Sequence, residues 1–256
     1  MHYFIFDQFL NDKKYTTVIN KIETRLTDLG INGRTEKLSI LKRLPDTLND
    51  IDKKGATTIV AVGNDHTISK IIGLLPAHDI TLGIIPIGSE NHIANRLGIP
   101  EGEAACEIIA ARLIEKIDLG KANNYYFISH LDILSNEQIT IDCGSYSVST
   151  TETSNILSIR NFKSAKSDGE KDSSSNPKDG ILEAVFNSEQ KSQGFFNIFK
   201  KSYSKESIFP FKKIKIKCST ETIPALADGH LTIKTPIAVE VIPKKLKVIV
   251  GKNRMF

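Results

Sequence analysis

Two short polar stretches have the residue types and spacing to hold a phosphate. The first is Gly63-Asn64-Asp65-His66-Thr67, and the second is Gly88-Ser89-Glu90-Asn91. Each combines glycine, which allows close backbone approach, with small hydroxyl or amide side chains. Each also follows a β-branched run, at 57–62 and 80–87, and leads into a segment with helical spacing. A strand that ends in such a turn and feeds a helix aims backbone N–H groups and a positive helix end at an anion. Two such turns on neighbouring parallel strands would share one crevice at the strands' carboxyl ends, where open α/β sheets bind ligands. A purely structural reading is also open: Ser89 and Asp65 are good N-caps for the helices that follow them.

Three residue types qualify this picture. Asn64 enters positive φ more easily than most residues, and His66 would do so at roughly 1–2 kcal/mol. Glu90 would repel a phosphate at close range by roughly 1–4 kcal/mol unless it points to solvent. Far along the chain, Asp228-Gly229 suits a hairpin turn between strands.

The second stretch continues as Pro86-Ile87-Gly88-Ser89-Glu90-Asn91-His92-Ile93-Ala94-Asn95-Arg96-Leu97-Gly98-Ile99. This run resembles the diacylglycerol kinase catalytic domain family, which includes the sphingosine kinases and reads Pro-Leu-Gly-Thr-Gly/Ala-Asn-Asp-Phe-Ala-Arg-X-Leu-Gly-Ile there. Residues 63–67 resemble the family's Gly-Gly-Asp-Gly-Thr turn. The NAD kinases share that first motif but not the second. Weaker likenesses lie at 117–120, 179–185 and 227–230, so the resemblance touches nearly the whole chain.

The resemblance implies a Rossmann-like parallel α/β nucleotide-binding domain over 1–118 and a β-sandwich substrate domain over 119–256. The C-terminal end is free to return to the first domain. It implies ATP and Mg²⁺ as cofactors, with Thr35, Gly63, Asn64, Asp65, Thr67, Gly88, Ser89 and Asn91 at the nucleotide and Asp65 also in the Mg²⁺ network. Asp228 falls on the family's general base, which would take the proton of a lipid hydroxyl. The implied reaction is transfer of the γ-phosphate to diacylglycerol or a similar lipid alcohol at a membrane surface. An inactive relative that binds nucleotide or lipid, or scaffolds a partner, is the second reading. Four departures bear on it: His66, Glu90, His230 in place of a glutamate, and Asp7-Gln8-Phe9-Leu10-Asn11 where family members have Asn-Pro. The region between Phe127 and Ile156 is also shorter than usual.

The elements needed to position these residues are legible from periodicity. Strands are expected at 3–9, around 31–35, at 57–62 and at 80–87. Helices are expected after Asp12, near Pro45, over 67–75 and over 103–117, which alternates as a parallel, doubly covered sheet does. Beyond Gly120 the period becomes two, with short strands at 125–134, 138–142, 146–149 and 156–159. Residues 164–179 contain no large apolar side chain and read as a disordered surface loop. Between Lys191 and Lys217 eight lysines accompany Glu206, Phe195, Phe196, Ile198 and Phe199. The preferred reading is a core-packed helix with a solvated lysine face, and a membrane-surface helix is the other.

Composition bounds the rest. A chain of 256 residues with 40% hydrophobic and 25% charged residues can bury a substantial core. A formal charge of +4 is too small to argue for nucleic acid. Three scattered cysteines, Cys106, Cys143 and Cys218, read as reduced thiols in a cytoplasmic protein. No run reaches the ~20 apolar residues that span a bilayer, so membrane contact is expected to be peripheral. The sequence leaves a homodimer open.

Overall fold

The computed structural model describes residues 1–39, 44–150, 155–162, 176–188, 206–219 and 222–256. It divides into two compact units, Met1–Leu119 with Pro243–Phe256, and Gly120–Ile242.

In the first unit the chain alternates strand and helix: β1 (His2–Phe6), α1 (Thr16–Asp28), β2 (Gly33–Lys37), α2 (Leu44–Lys53), β3 (Thr58–Gly63), α3 (Asp65–Leu74), β4 (Thr81–Pro86), α4 (His92–Arg96) and α5 (Ala105–Ala111). The strands are parallel in the order β2-β1-β3-β4, and Val248, near the end of the last strand β16 (Ile237–Ile249), pairs beside Leu82 of β4. Every residue of β3 and β4 is buried, as expected of parallel strands covered on both faces. Helix α1 lays Ile19, Ile22 and Leu26 into the core at i, i+3 and i+7.

Two expectations for this unit need correction. The first strand stops at Phe6, because Asp7 accepts from the Phe9 N–H and opens a 3-10 turn over Gln8–Asn11. The helix expected over 103–117 ends at Ala111, where Arg112 adopts φ +50 and closes it. The chain then becomes β5 (Ile114–Ala122). The helical register holds over 105–111, but β-branched Ile114 and Ile117 favour extended backbone.

The C-terminal tail is packed against the second polar turn's exit. Gly251 donates to the Leu97 carbonyl, and Met255 to that of Arg96. A Cβ on Gly251 would stand 1.8 Å from the Gly98 carbonyl oxygen, a contact between two backbones that no rotamer relieves. Gly251→Ala is therefore expected to destabilise the first unit by roughly 3 kcal/mol, read as a lower urea midpoint.

The second unit is a β-sandwich. One antiparallel sheet runs β12 (Glu206–Phe211), β11 (Leu182–Ser188), β10 (Asn155–Arg160), β7 (His130–Ser135), β14 (Pro224–Ala227), β15 (Leu231–Lys234). The facing layer pairs the first half of β16 with β13 (Lys213–Cys218), β8 (Ile139–Asp142) and β9 (Ser147–Ser149), while the end of β5 pairs with β6 (Tyr125–Phe127). Leu131, Ile133, Leu157, Ile159, Ile214, Ile216 and Val239 share one core between the layers.

The basic stretch before Lys217 is not a helix where it is described. Over 213–217 lysines alternate with buried Ile214 and Ile216, so the period is two and the lysines face outward. Residues 189–205, including Phe195, Phe196, Ile198 and Phe199, lie outside the described residues, as does the expected loop 164–179 up to 175. All three cysteines are free thiols, and burial pushes that of Cys106 up to about 11.

Candidate functional site

The strand order places a crevice before any side chain is considered. From β1 the chain moves outward to β2, then crosses back over β1 to β3. The crossovers thus leave β1 and β3 in opposite directions, and the carboxyl ends of these two strands form the switch point at which open α/β sheets bind ligands. Asp7 leaves β1 there, and its N–H donates to the Val62 carbonyl. Residues 63–67 leave β3 beside it.

The first turn is built on a close approach. A Cβ on Gly63 would lie 2.3 Å from Thr67 Oγ1, so only glycine lets that hydroxyl sit over the strand end. Thr67, 1% exposed, donates its hydroxyl to Asp7 Oδ2 at 2.7 Å. Asn64 is extended (φ −101, ψ −172) and caps α3 by accepting from the Thr67 N–H at 3.3 Å. The cap of α3 is thus Asn64, not Asp65. His66 lies inside α3 and needs no left-handed backbone. The left-handed residue is Glu90, at φ +64, with its side chain exposed.

Asp65 joins the two turns. It is 7% exposed. Its N–H donates to the Glu90 carbonyl at 2.9 Å, while its carboxylate accepts from the His92 N–H at 2.7 Å and the Ile93 N–H at 3.0 Å. The Ile87 N–H donates to the Gly63 carbonyl at 3.0 Å. The turn at 88–91 is secured from its other side by Asn91, whose side-chain amide donates to the Gly88 carbonyl and to Glu101 Oε1, both at 2.9 Å. Asn91 Oδ1 is buried with no hydrogen-bond partner among the described residues. Ser89 is exposed and does not cap α4, whose first N–H groups are held by Asp65. Among the described residues, the N–H groups of Gly88, Ser89 and Glu90 donate to no other protein group.

The structure therefore brings Gly63, Asn64, Asp65, Thr67, Gly88, Ser89 and Asn91 to one place. Thr35 stands apart: it is exposed on the edge strand β2, in register with Phe4 and two residues before the strand's end. Asp228 belongs to the second unit. With Gly229 it forms the β14–β15 turn, at φ +47 and +75, and the His230 N–H donates to the Ala227 carbonyl at 3.0 Å. Its carboxylate, 5% exposed, accepts from the N–H groups of Ile128, Ser129 and His130 at 3.0, 2.8 and 3.1 Å.

Sequence reasoning noticed Asp7 and Phe9 only as departures from a motif, and passed over Glu101. Asp7 is the side chain nearest the first turn's hydroxyl. The Phe9 ring covers Gly88, 3.4 Å from where its Cβ would be. The available signal was positional: Asp7 directly follows a buried strand, as the two turns do.

The fold is a parallel α/β domain followed by an antiparallel β-sandwich. Residues 2–122 match the diacylglycerol kinase catalytic domain model. A diacylglycerol kinase of Bacillus subtilis is 39% identical over 75 residues, covering 28% of this chain and 25% of that protein. The chain thus spans about a quarter of that relative's length. A Staphylococcus aureus protein provisionally named a lipid kinase is 27% identical over 247 residues, covering 77% of this chain and 78% of its own. The crystal structure of a diacylglycerol kinase from Bacillus anthracis superposes with a TM-score of 0.77 at 18% identity, over 99% of this chain and 98% of that one, a likeness of fold.

Glu90 offers a direct test of the second turn. Glu90→Gly relieves roughly 1–2 kcal/mol of left-handed strain against roughly 0.5–1 kcal/mol of added unfolded-state freedom. The thermal midpoint is expected to hold or rise, and the exposed Glu90 side chain leaves no electrostatic penalty in the turn for the change to relieve.

Proposed function

We propose that this chain is an ATP-dependent lipid kinase that transfers the γ-phosphate to the hydroxyl of diacylglycerol or a similar lipid alcohol. The observation that carries the reading is the joining of the two turns through Asp65, which sets the open amides of 88–90 and the first turn of α3 around one crevice. Phosphoryl transfer depends mainly on positioning and on neutralising charge, and backbone amides at a strand end supply both. In this reading Gly63, Asn64, Thr67, Gly88, Ser89 and Asn91 hold the nucleotide and Asp65 aligns them, while Thr35, apart on the edge strand β2, is not among them. Mg²⁺ suits the hard oxygen donors that carboxylates offer at such a crevice, and when bound it would neutralise charge on the phosphates. Asp228 is the base for the acceptor hydroxyl.

The lipid would be met at a membrane surface from the cytoplasm. No helix among the described residues is long and apolar enough to cross a membrane.

One observation favours the second reading, an inactive homologue that binds nucleotide or lipid or scaffolds a partner. Three backbone amides hold the Asp228 carboxylate, a structural duty that needs no turnover.

Calorimetric titration with Mg·ATP comes first, and no binding at millimolar nucleotide removes the kinase reading. Radiolabelled phosphate transfer to mixed lipid vesicles follows. Asp228→Asn keeps an acceptor oxygen and tolerates positive φ. A base role predicts transfer lower by about a hundredfold or more with nucleotide affinity retained. Equal transfer by both proteins assigns Asp228 to the fold alone.

A further inference from the structure

Two carboxylates stand where the turns converge, and their surroundings give them different work. Both oxygens of Asp65 accept buried or half-buried backbone N–H groups of α4, so that side chain is spent on joining the turns. Asp7 is half-buried at the switch point. Among the described residues its Oδ2 accepts from the Thr67 hydroxyl at 2.7 Å, and its Oδ1 takes only a long 3.4 Å bond from the Phe9 N–H. An ionised carboxylate offers about four acceptor positions and no donor. It cannot hydrogen-bond a phosphate oxygen, and it attracts a phosphate only across a cation. The Thr67 hydroxyl fixes its orientation, and the Gly63 contact fixes that hydroxyl in turn.

We infer that Asp7 is the specificity-determining residue that makes this crevice accept a nucleotide as its divalent-cation complex and reject the bare polyanion. The inference rests on the nucleotide reading given above. It assigns the cation-facing role to Asp7 and leaves Asp65 as a positioning residue. A phosphate charge about 5 Å from an ionised Asp7 is disfavoured on the order of a hundredfold at an effective dielectric near 20. Partial exposure of Asp7 lowers that to about tenfold. A divalent cation between them reverses the sign, and one carboxylate with phosphate oxygens is a donor set that Mg²⁺ commonly uses.

The test is binding of ATP by the full chain, measured by calorimetry in Mg²⁺ and again in EDTA, for the wild type, Asp7→Asn and Asp7→Ser. Both replacements remove the charge, and Asn keeps an acceptor for Thr67, with the thermal midpoint recorded to confirm folding. The wild type should bind Mg·ATP at least about tenfold more tightly than ATP in EDTA. The neutral variants should bring that ratio towards one, by gaining affinity in EDTA and losing it in Mg²⁺. An unchanged ratio in a folded neutral variant overturns the inference and leaves the nucleotide reading standing. Absence of ATP binding by every protein in both conditions overturns the two together.

Discussion

Asp228→Ala should destabilise the second unit by roughly 3–5 kcal/mol, seen as a large fall in its urea midpoint by circular dichroism. The residue is 5% exposed, and removing its carboxylate leaves the N–H groups of Ile128, Ser129 and His130 without acceptors where water does not reach freely. Each buried donor so orphaned costs roughly 1–3 kcal/mol, and the three are coupled, so the sum falls short of strict addition. Alanine also fits poorly at φ +47, adding roughly 1–2 kcal/mol of strain. Asp228→Asn should cost about half as much, since its one carbonyl oxygen can still serve Ser129 and His130. A midpoint unchanged by alanine would mean that these three amides find other acceptors, and the carboxylate would lose its anchoring role.

Asp65→Ala should weaken the first unit by roughly 2–4 kcal/mol and abolish nucleotide binding if the crevice binds one. Two N–H groups of α4, one fully buried, lose their acceptor. The loss also falls at a helix start, where an anion is favourable to the helix dipole. The structural half of this prediction does not need a ligand, so urea denaturation and hydrogen exchange at His92 and Ile93 read it directly. Retained exchange protection at both amides would show that the turns are held together without Asp65. Asp65→Asn keeps one acceptor oxygen and should lie between alanine and the wild type.

These two aspartates show where sequence reading stops. Both were singled out for chemistry: Asp65 for a Mg²⁺ network and Asp228 for proton transfer. In the structure each carboxylate also serves as an acceptor for backbone amides of another segment, and neither duty could be read from its neighbours in sequence. His66 was judged by the conformation that its place in the turn suggested, but the turn tightens one residue earlier. Asn64 takes the cap, and His66 falls into ordinary helix. The backbone distortion moved to Glu90 instead. The helix expected over 103–117 was lengthened past its end because Leu113 and Ile117 fit both periods. The lysine-rich stretch near 215 was read as helix although its strict alternation with isoleucine marks a strand.

Local chemistry was enough to reveal the two glycine turns, the buried β-branched strands that precede them and the change from helical to alternating period after Gly120. These signals lie within a few residues of one another, where hydrophobic period and turn propensity act directly. The tertiary structure alone decided which atoms meet. Asp65 reaches His92 across 27 residues, Thr67 reaches Asp7 across 60, and Asp228 reaches Ile128 across 100. Contacts at such separations depend on strand order, and strand order is set by how all the strands pack together. A carboxylate's role follows from what that packing brings within 3 Å of it, so its type and position in the chain do not determine that role.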